Sequence, residues 1–380
     1  MKSPTNLARP EGRIPMLRCC LCCYLIVLSA MLARGAEPFH VFAPSPPTNE
    51  IIQWMVTSQD SNVSFQRQSS LELPFTPSIL AWQQDHQRLI VSSGAKGVPT
   101  SATIQATASG EMQLIATSSL DHPTGYTSID RSGKFFLAAN YRNGIIAAYR
   151  IQDSGQVGEL TSSVVTPNTE AHCILTTPDN QFAYVPCVKN NNALFQFRFD
   201  ATTGGLVPLQ PFNADPPAMF GPRHAAFHPS LPIVYFSNEQ QLGVSVYQIQ
   251  EDGQLTDIQH AITLPRRTPF VHGKRGLHAS DLVLTRDGKR LFVAVRDFVS
   301  DQDSVFTFDV NVEGKLSLVA RCHVGDIPWK LDLSPDQKLL FVSETGDRRL
   351  SAYRIARNGE LTEAAQLDWN LAARDLVVAP

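Results

Sequence analysis

From residue 39 onward the chain alternates short apolar runs with polar turns and shows no sustained helical period. The turn-then-run unit appears as QDHQRLIVS from 84, RSGKFFLAA from 131, PDNQFAYVP from 178, DGKRLFVAV from 287 and PDQKLLFVS from 335, with HPSLPIVYFS from 228 a looser copy. The turns hold Pro, Asp, Asn, Gly or Ser, which suit tight backbone geometry, and the runs are rich in Val, Phe, Leu and Tyr, which suit a pleated strand. Each unit predicts an antiparallel hairpin. An alternating segment follows, as in GIIAAYRI from 144, GVSVYQI from 243 and RLSAYRI from 349, and a Gly-x-(Leu/Met) step then opens another strand.

That step recurs at Gly110, Gly158, Gly204, Gly253, Gly314 and Gly359, at spacings of 48, 46, 49, 61 and 45 residues. A repeat of roughly 48 residues holding four strands is a propeller blade, since a four-stranded sheet must stack on neighbours to bury both faces. A TIM barrel is excluded because its helices are missing. The ends set the blade count. The chain stops on DLVVAP (375–380), which resembles the first strand LDLSP (331–335) of the repeat before it; FHVFAP (39–44) matches LLFVSE, and NEIIQWMV (49–56) matches RRLSAYRI. Six complete repeats and this composite predict an all-β, seven-bladed β-propeller closed by pairing of the N- and C-terminal strands, which also removes free sheet edges.

The first 35 residues break the pattern. Lys2, Arg9 and Arg13 precede an apolar run from Leu17 to Leu32, interrupted only by Arg18 and Ser29, and small residues follow. This is a signal-peptide layout, with cleavage expected after Gly35 or Ala36; a run of about 16 apolar residues is short for a bilayer, which needs about 20. The expected organisation is a leader over 1–35 and one propeller domain over 36–380, exported to the periplasm or secreted, with no stable membrane insertion after cleavage. Loss of the leader removes five basic residues and one acidic one, moving the net charge from −3 to −7. That balance gives no basic footprint for nucleic acid. Four of seven cysteines lie in the leader, leaving Cys173, Cys187 and Cys322. Without a CxxC pair or a Cys/His cluster they read as small buried hydrophobes rather than metal ligands, with a Cys173–Cys187 bridge left open.

Three stretches carry a family resemblance: EAHCILTTPDNQFAYVPCVKNN (170–191), FGPRHAAFHPSLPIVYFSNE (220–239) and SDLVLTRDGKRLFVAVRD (280–297). GPRH followed by FHP and, a strand later, NE is the most specific of these signatures. The chain resembles, over residues 39–380, the lactonase family of seven-bladed propellers, which includes the propeller-type 6-phosphogluconolactonase and the 3-carboxy-cis,cis-muconate lactonising enzyme. The resemblance implies active-site roles for His172, Arg223, Glu239 and Arg296. It also implies a lactonase of the 6-phosphogluconolactonase type, acting without metal or cofactor on a small anionic lactone; the alternatives are a muconate cycloisomerase and a non-catalytic exported binding propeller. The chain departs from the family's pattern before the histidine, where Glu170-Ala171 replaces a glycine-containing step, so that Glu170 either raises the His172 pKa or faces solvent.

These residue types fit the chemistry. Lactone hydrolysis needs a base for water, a donor for the developing oxyanion and an anchor for a substrate anion. His172 suits proton transfer near neutrality. Glu239 would orient it or be the base itself. Arg223 and Arg296 offer planar, permanently charged forks for an oxyanion or a substrate carboxylate or phosphate. The bland alternatives are a core histidine, an Arg223–Glu239 structural ion pair and an Arg296–Asp297 contact, with His224 and Asn238 turned from the channel or supporting it. The 61-residue spacing reflects insertions at 264–278 and 297–303; the first holds Arg266, Arg267, Lys274 and Arg275, which either grip a substrate anion or stay solvated. No EF-hand loop, phosphate-binding glycine loop, GxSxG elbow or CxxCH step appears in the sequence.

Overall fold

The computed structural model describes residues 37–380 apart from 60–61, 95–97, 108–109 and 265–275, so the leader and the four cations of the first insertion lie outside the described residues. The strands form seven four-stranded antiparallel sheets. Blades 1 to 6 span residues 79–119, 126–165, 175–213, 222–262, 277–323 and 328–367. Blade 7 is the predicted composite: Val377–Ala379 is innermost and pairs with Phe39–Ser45, and Glu50–Gln59 and Asn62–Glu72 lie outside them. Their register sets His40 opposite Ala379, Val41 opposite Val378 and Phe42 opposite Val377.

The second strand of each blade explains the apolar runs. Phe135–Asn140, Phe182–Cys187, Ile233–Asn238 and Leu339–Glu344 are buried at every residue. Successive side chains point to opposite faces, and both faces are covered by neighbouring blades. Thus Phe135, Leu137 and Ala139 join Val185 and Phe195 of blade 3, whereas Phe136 and Ala138 join Ala81 and Ile90 of blade 1. The outermost strands, such as Met112–Ser119, are at most half-buried.

The Gly-x-Leu step needs one correction of register. The glycines at the outer turn share a positive φ, and in blade 2 that residue is Gly155 (φ 90), not Gly158, which lies inside the strand Val157–Val165. DSGQV there is the counterpart of EDGQL in blade 4. The turn requires glycine because a Cβ on Gly253 would stand 2.2 Å from Cδ1 of Phe182 in blade 3. The Tyr184 hydroxyl donates to the Gly253 carbonyl at 2.8 Å, joining the same two blades.

Near the axis, carboxylates on the innermost strands accept backbone N–H groups of the next blade. Asp281 Oδ2 takes Leu331 N–H at 3.0 Å, Asp332 Oδ2 takes Val378 N–H at 2.8 Å, and Asp375 Oδ2 takes Leu80 N–H at 2.8 Å. These bonds run across blades 5, 6, 7 and 1, through the point of closure. Cys173 and Cys187 are free, buried thiols in different hydrophobic clusters, so the bridge left open by the sequence does not form. Burial pushes the Cys173 thiol up to about 12.

Candidate active site

Six residues ahead of Gln84, Arg131, Pro178, Pro229, Arg286, Pro335 and Pro380, which are equivalent points of the repeat, stand Ser78, Gly125, His172, Arg223, Ser280, Trp329 and, in the composite blade, Arg374, each in its innermost strand or up to three residues ahead of it. All of these except Ser280 line one cavity of about 440 Å³ on the propeller axis. The repeat therefore delivers one residue per blade to the same opening, and local sequence decides its chemistry. Glu239 and Arg296 reach the cavity from the second strands of blades 4 and 5, at or just beyond Ile233–Asn238 and Arg290–Asp297. The four residues predicted as a site thus share one chamber.

Glu239 is the centre of charge. Its Oε2 lies 3.0 Å from Arg223 Nε and 3.2 Å from Arg296 Nη2. Arg296 donates a hydrogen bond there, whereas Arg223 Nε makes a charge contact without hydrogen-bond alignment. On the other oxygen, Gln240 Nε2 donates at 3.1 Å and His278 Nδ1 stands at 3.5 Å. Burial pushes the Glu239 carboxyl up, but His278, Arg296 and Arg223 outweigh it and hold the group well below the usual carboxylate range. Glu239 is therefore ionised and fully engaged, which suits it to anchor the arginines and argues against its serving as the base. Arg296 pairs with Glu239 rather than with Asp297, whose carboxylate instead accepts the N–H groups of Val299 and Ser300.

His172 is half-buried, with its ring 5.0 Å from His224 and 5.7 Å from Tyr141. Burial first, then the positive charges of Arg223 and His224, hold its imidazole well below the ordinary histidine value, against the pull of Glu239. A neutral imidazole at physiological pH is ready to accept a proton. Glu170 does not raise it: its carboxylate turns to Asn191 Nδ2 at 2.9 Å and Lys189 Nζ at 3.4 Å.

The sequence reading missed a second polar chain. His224 lines the cavity, and its Nδ1 lies 2.6 Å from Asp281 Oδ1, while Asp281 Oδ2 pairs with Lys330 Nζ at 3.1 Å. Burial, then Arg223, lower His224 to about 4, with Asp281 opposing. Trp329 was also missed; the guanidinium groups of Arg296, Arg374 and Arg223 stand 4.1, 4.4 and 5.7 Å from its ring centroids. Aligning the repeats at their polar turns is the signal that would have found Trp329 and Arg374. Arg223 is 0% exposed and Arg296 4%, yet Arg223 Nη2 and Arg296 Nε and Nη1 are buried donors with no partner among the described residues. Buried donors in a native protein are rarely left unmade. Both arginines line the cavity that also holds His172.

Known proteins resemble this chain over most of its length. A family model described as "Lactonase, 7-bladed beta-propeller" matches residues 45–369. A Yersinia pestis protein named 6-phosphogluconolactonase is 26% identical over 327 residues, covering 85% of this chain and 92% of that protein. Among solved structures, a Pseudomonas aeruginosa periplasmic gluconolactonase superposes with a TM-score of 0.78 at 21% identity, over 90% of this chain and 99% of that one. A Lactobacillus plantarum protein gives 0.70 at 18% identity, over 90% of this chain and 100% of that one.

Proposed function

Since the chain belongs to the lactonase family of seven-bladed β-propellers, we propose that it hydrolyses a small lactone in the axial cavity, in the manner of a 6-phosphogluconolactonase. The observation that carries this reading is the juxtaposition, in one cavity, of His172 with two arginines fixed by Glu239.

The residues divide the reaction as follows. His172 takes a proton from water as its oxygen attacks the lactone carbonyl carbon. The carbonyl oxygen becomes an oxyanion, and the guanidinium groups of Arg223 and Arg296, both on the cavity wall, offer it positive charge and N–H donors. The ring C–O bond then breaks, and protonated His172 returns the proton to the departing ring oxygen, leaving a hydroxy acid. Glu239 acts on the arginines, holding both guanidinium groups at one site that their mutual repulsion would otherwise open. Arg223 Nη1 lies 3.4 Å from His224 Nδ1, which ties it to the His224–Asp281–Lys330 chain.

Export remains part of the proposal. It is supported by the order of basic, apolar and small residues over 1–35 and by the description of the Pseudomonas neighbour as periplasmic. Among the described residues, no helix is long and apolar enough to cross a membrane. The function is tested with purified 36–380 against neutral and phosphorylated aldonolactones. Ring opening above the spontaneous rate, abolished by His172→Ala and by Arg223→Ala, is expected; equal rates in variants and unmutated protein would remove these residues from the reaction.

A further inference from the structure

We propose that Arg374 is the specificity residue of this site, binding an anionic substituent of the substrate remote from the lactone carbonyl. This rests on the lactonase reading and assigns one residue of the chamber to the phosphate or carboxylate of an anionic lactone.

Two of the chamber's other arginines are committed: Arg223 and Arg296 share Glu239, and both are buried. Arg374 is exposed on the cavity wall and forms no ion pair among the described residues. It is nonetheless held in place, with its guanidinium 4.4 Å from the Trp329 ring centroid, on the indole that also carries Arg296 at 4.1 Å. Stacking on an aromatic face leaves the edge of a guanidinium and its fork of N–H groups open to a planar or tetrahedral oxyanion.

The backbone is fixed on both sides of this residue. Ser343 Oγ donates to the Ala373 carbonyl at 2.5 Å, and Asp375 Oδ2 accepts Leu80 N–H at 2.8 Å. Arg374 also stands, in the composite blade, at the repeat position that holds His172 in blade 3 and Arg223 in blade 4. The strand that closes the ring therefore delivers this cation to the axis.

Charge points the same way. Around Trp329 three guanidinium groups outnumber the two carboxylates that line the cavity, Glu239 and Asp375, and the Arg296 guanidinium is lowered by burial, then by Arg223, with Arg374 adding to the repulsion and Glu239 opposing. A bound anion relieves that excess. Arg142 is the other exposed cavity cation without an ion pair among the described residues, but it has no such aromatic platform.

The test uses Arg374→Gln, Arg374→Lys and Arg142→Gln in residues 36–380, assayed on a neutral aldonolactone, its 6-phosphate and a carboxylate-bearing aldarolactone. Arg374→Gln is expected to raise KM at least tenfold for one or both anionic lactones, to leave kcat within about twofold and to leave the neutral lactone unaffected, with Lys partly restoring KM. A loss confined to one anionic arm names the anion. The proposal is overturned if Arg374→Gln treats neutral and anionic lactones alike, or if Arg142→Gln alone produces the KM effect. Calorimetric titration with 6-phosphogluconate separates this from the underlying reading. Arg374-dependent binding in a protein that opens no lactone would sink the lactonase assignment and sustain this one, whereas turnover with Arg374-independent binding would do the reverse.

Discussion

Arg223 Nε and Arg296 Nη2 both approach a single oxygen of Glu239, at 3.0 and 3.2 Å, from two different blades. One carboxylate thus fixes the distance between two guanidinium groups that are 0% and 4% exposed. Removing one partner of a buried ion cluster costs more than the pair itself contributes, because it strands the remaining charge. Glu239→Ala is expected to lose about 3–5 kcal/mol of stability, read by urea unfolding, together with most of the activity. A loss below about 1 kcal/mol would show that water replaces the carboxylate and that the pair is an incidental contact.

The pH profile of kcat/KM reports the base. His172 works only when neutral, and burial with its cationic neighbours sets its folded value below the ordinary histidine pKa of about 6.5. Activity should therefore be level through neutrality and fall only on the acid side of that value. His172→Gln should lose about 10²- to 10⁴-fold in kcat without a change in melting temperature, and the acid limb should go with it. An acid limb that persists in the variant belongs to another group.

His224 carries a linkage that stability can read. Its folded value is about 4, through burial and Arg223, against about 6.5 in an unfolded chain. Between those two values the unfolded chain binds the extra proton, so stability is lost as pH falls through the window, by about 3 kcal/mol in all. Asp332 and Asp375, raised by burial to about 6, act in the opposite sense in the same range. His224→Gln keeps a donor for Asp281 and does not titrate. The difference between its melting curve and that of the unmutated protein, followed from pH 7 to pH 4, isolates the histidine, and it should narrow as the pH drops. Parallel curves would show that His224 does not bear the linkage.

The blade count, the closure and the meeting of His172, Arg223, Glu239 and Arg296 were legible because each depends on a pattern repeated along the chain or on a motif within one blade. The Gly155 register was not, since Gly158-Glu-Leu-Thr imitates the step three residues late and only the positive φ tells them apart. Glu239's role was left open for a different reason. A glutamate is a base or an anchor according to its neighbours, and those neighbours, His278 and Arg296, come from another blade. Trp329, Lys330 and Asp281 have no distinctive local motif; their meaning arises where strands far apart in sequence converge.

Closure by Val377–Ala379 joins stability to function. These residues pair with Phe39–Ser45, Val377 and Ala379 pack with Phe42 and Leu89, and Leu376 packs with Val41 and Trp369. Deleting 375–380 would leave Phe39–Ser45 as an open edge toward the axis, Leu80 N–H without Asp375 and Val378's acceptor Asp332 without its donor. Exposed edges and orphaned buried donors both favour aggregation over folding. The deletion is expected to prevent soluble expression, while Val378→Pro, which removes the N–H given to Asp332 but keeps the strand, should cost about 1–3 kcal/mol and leave a cooperative thermal transition. A deletion protein that stays soluble and melts with the unmutated one would mean that the other six blades stand without the seventh. Its lactonase activity would then decide whether the chamber needs the ring closed.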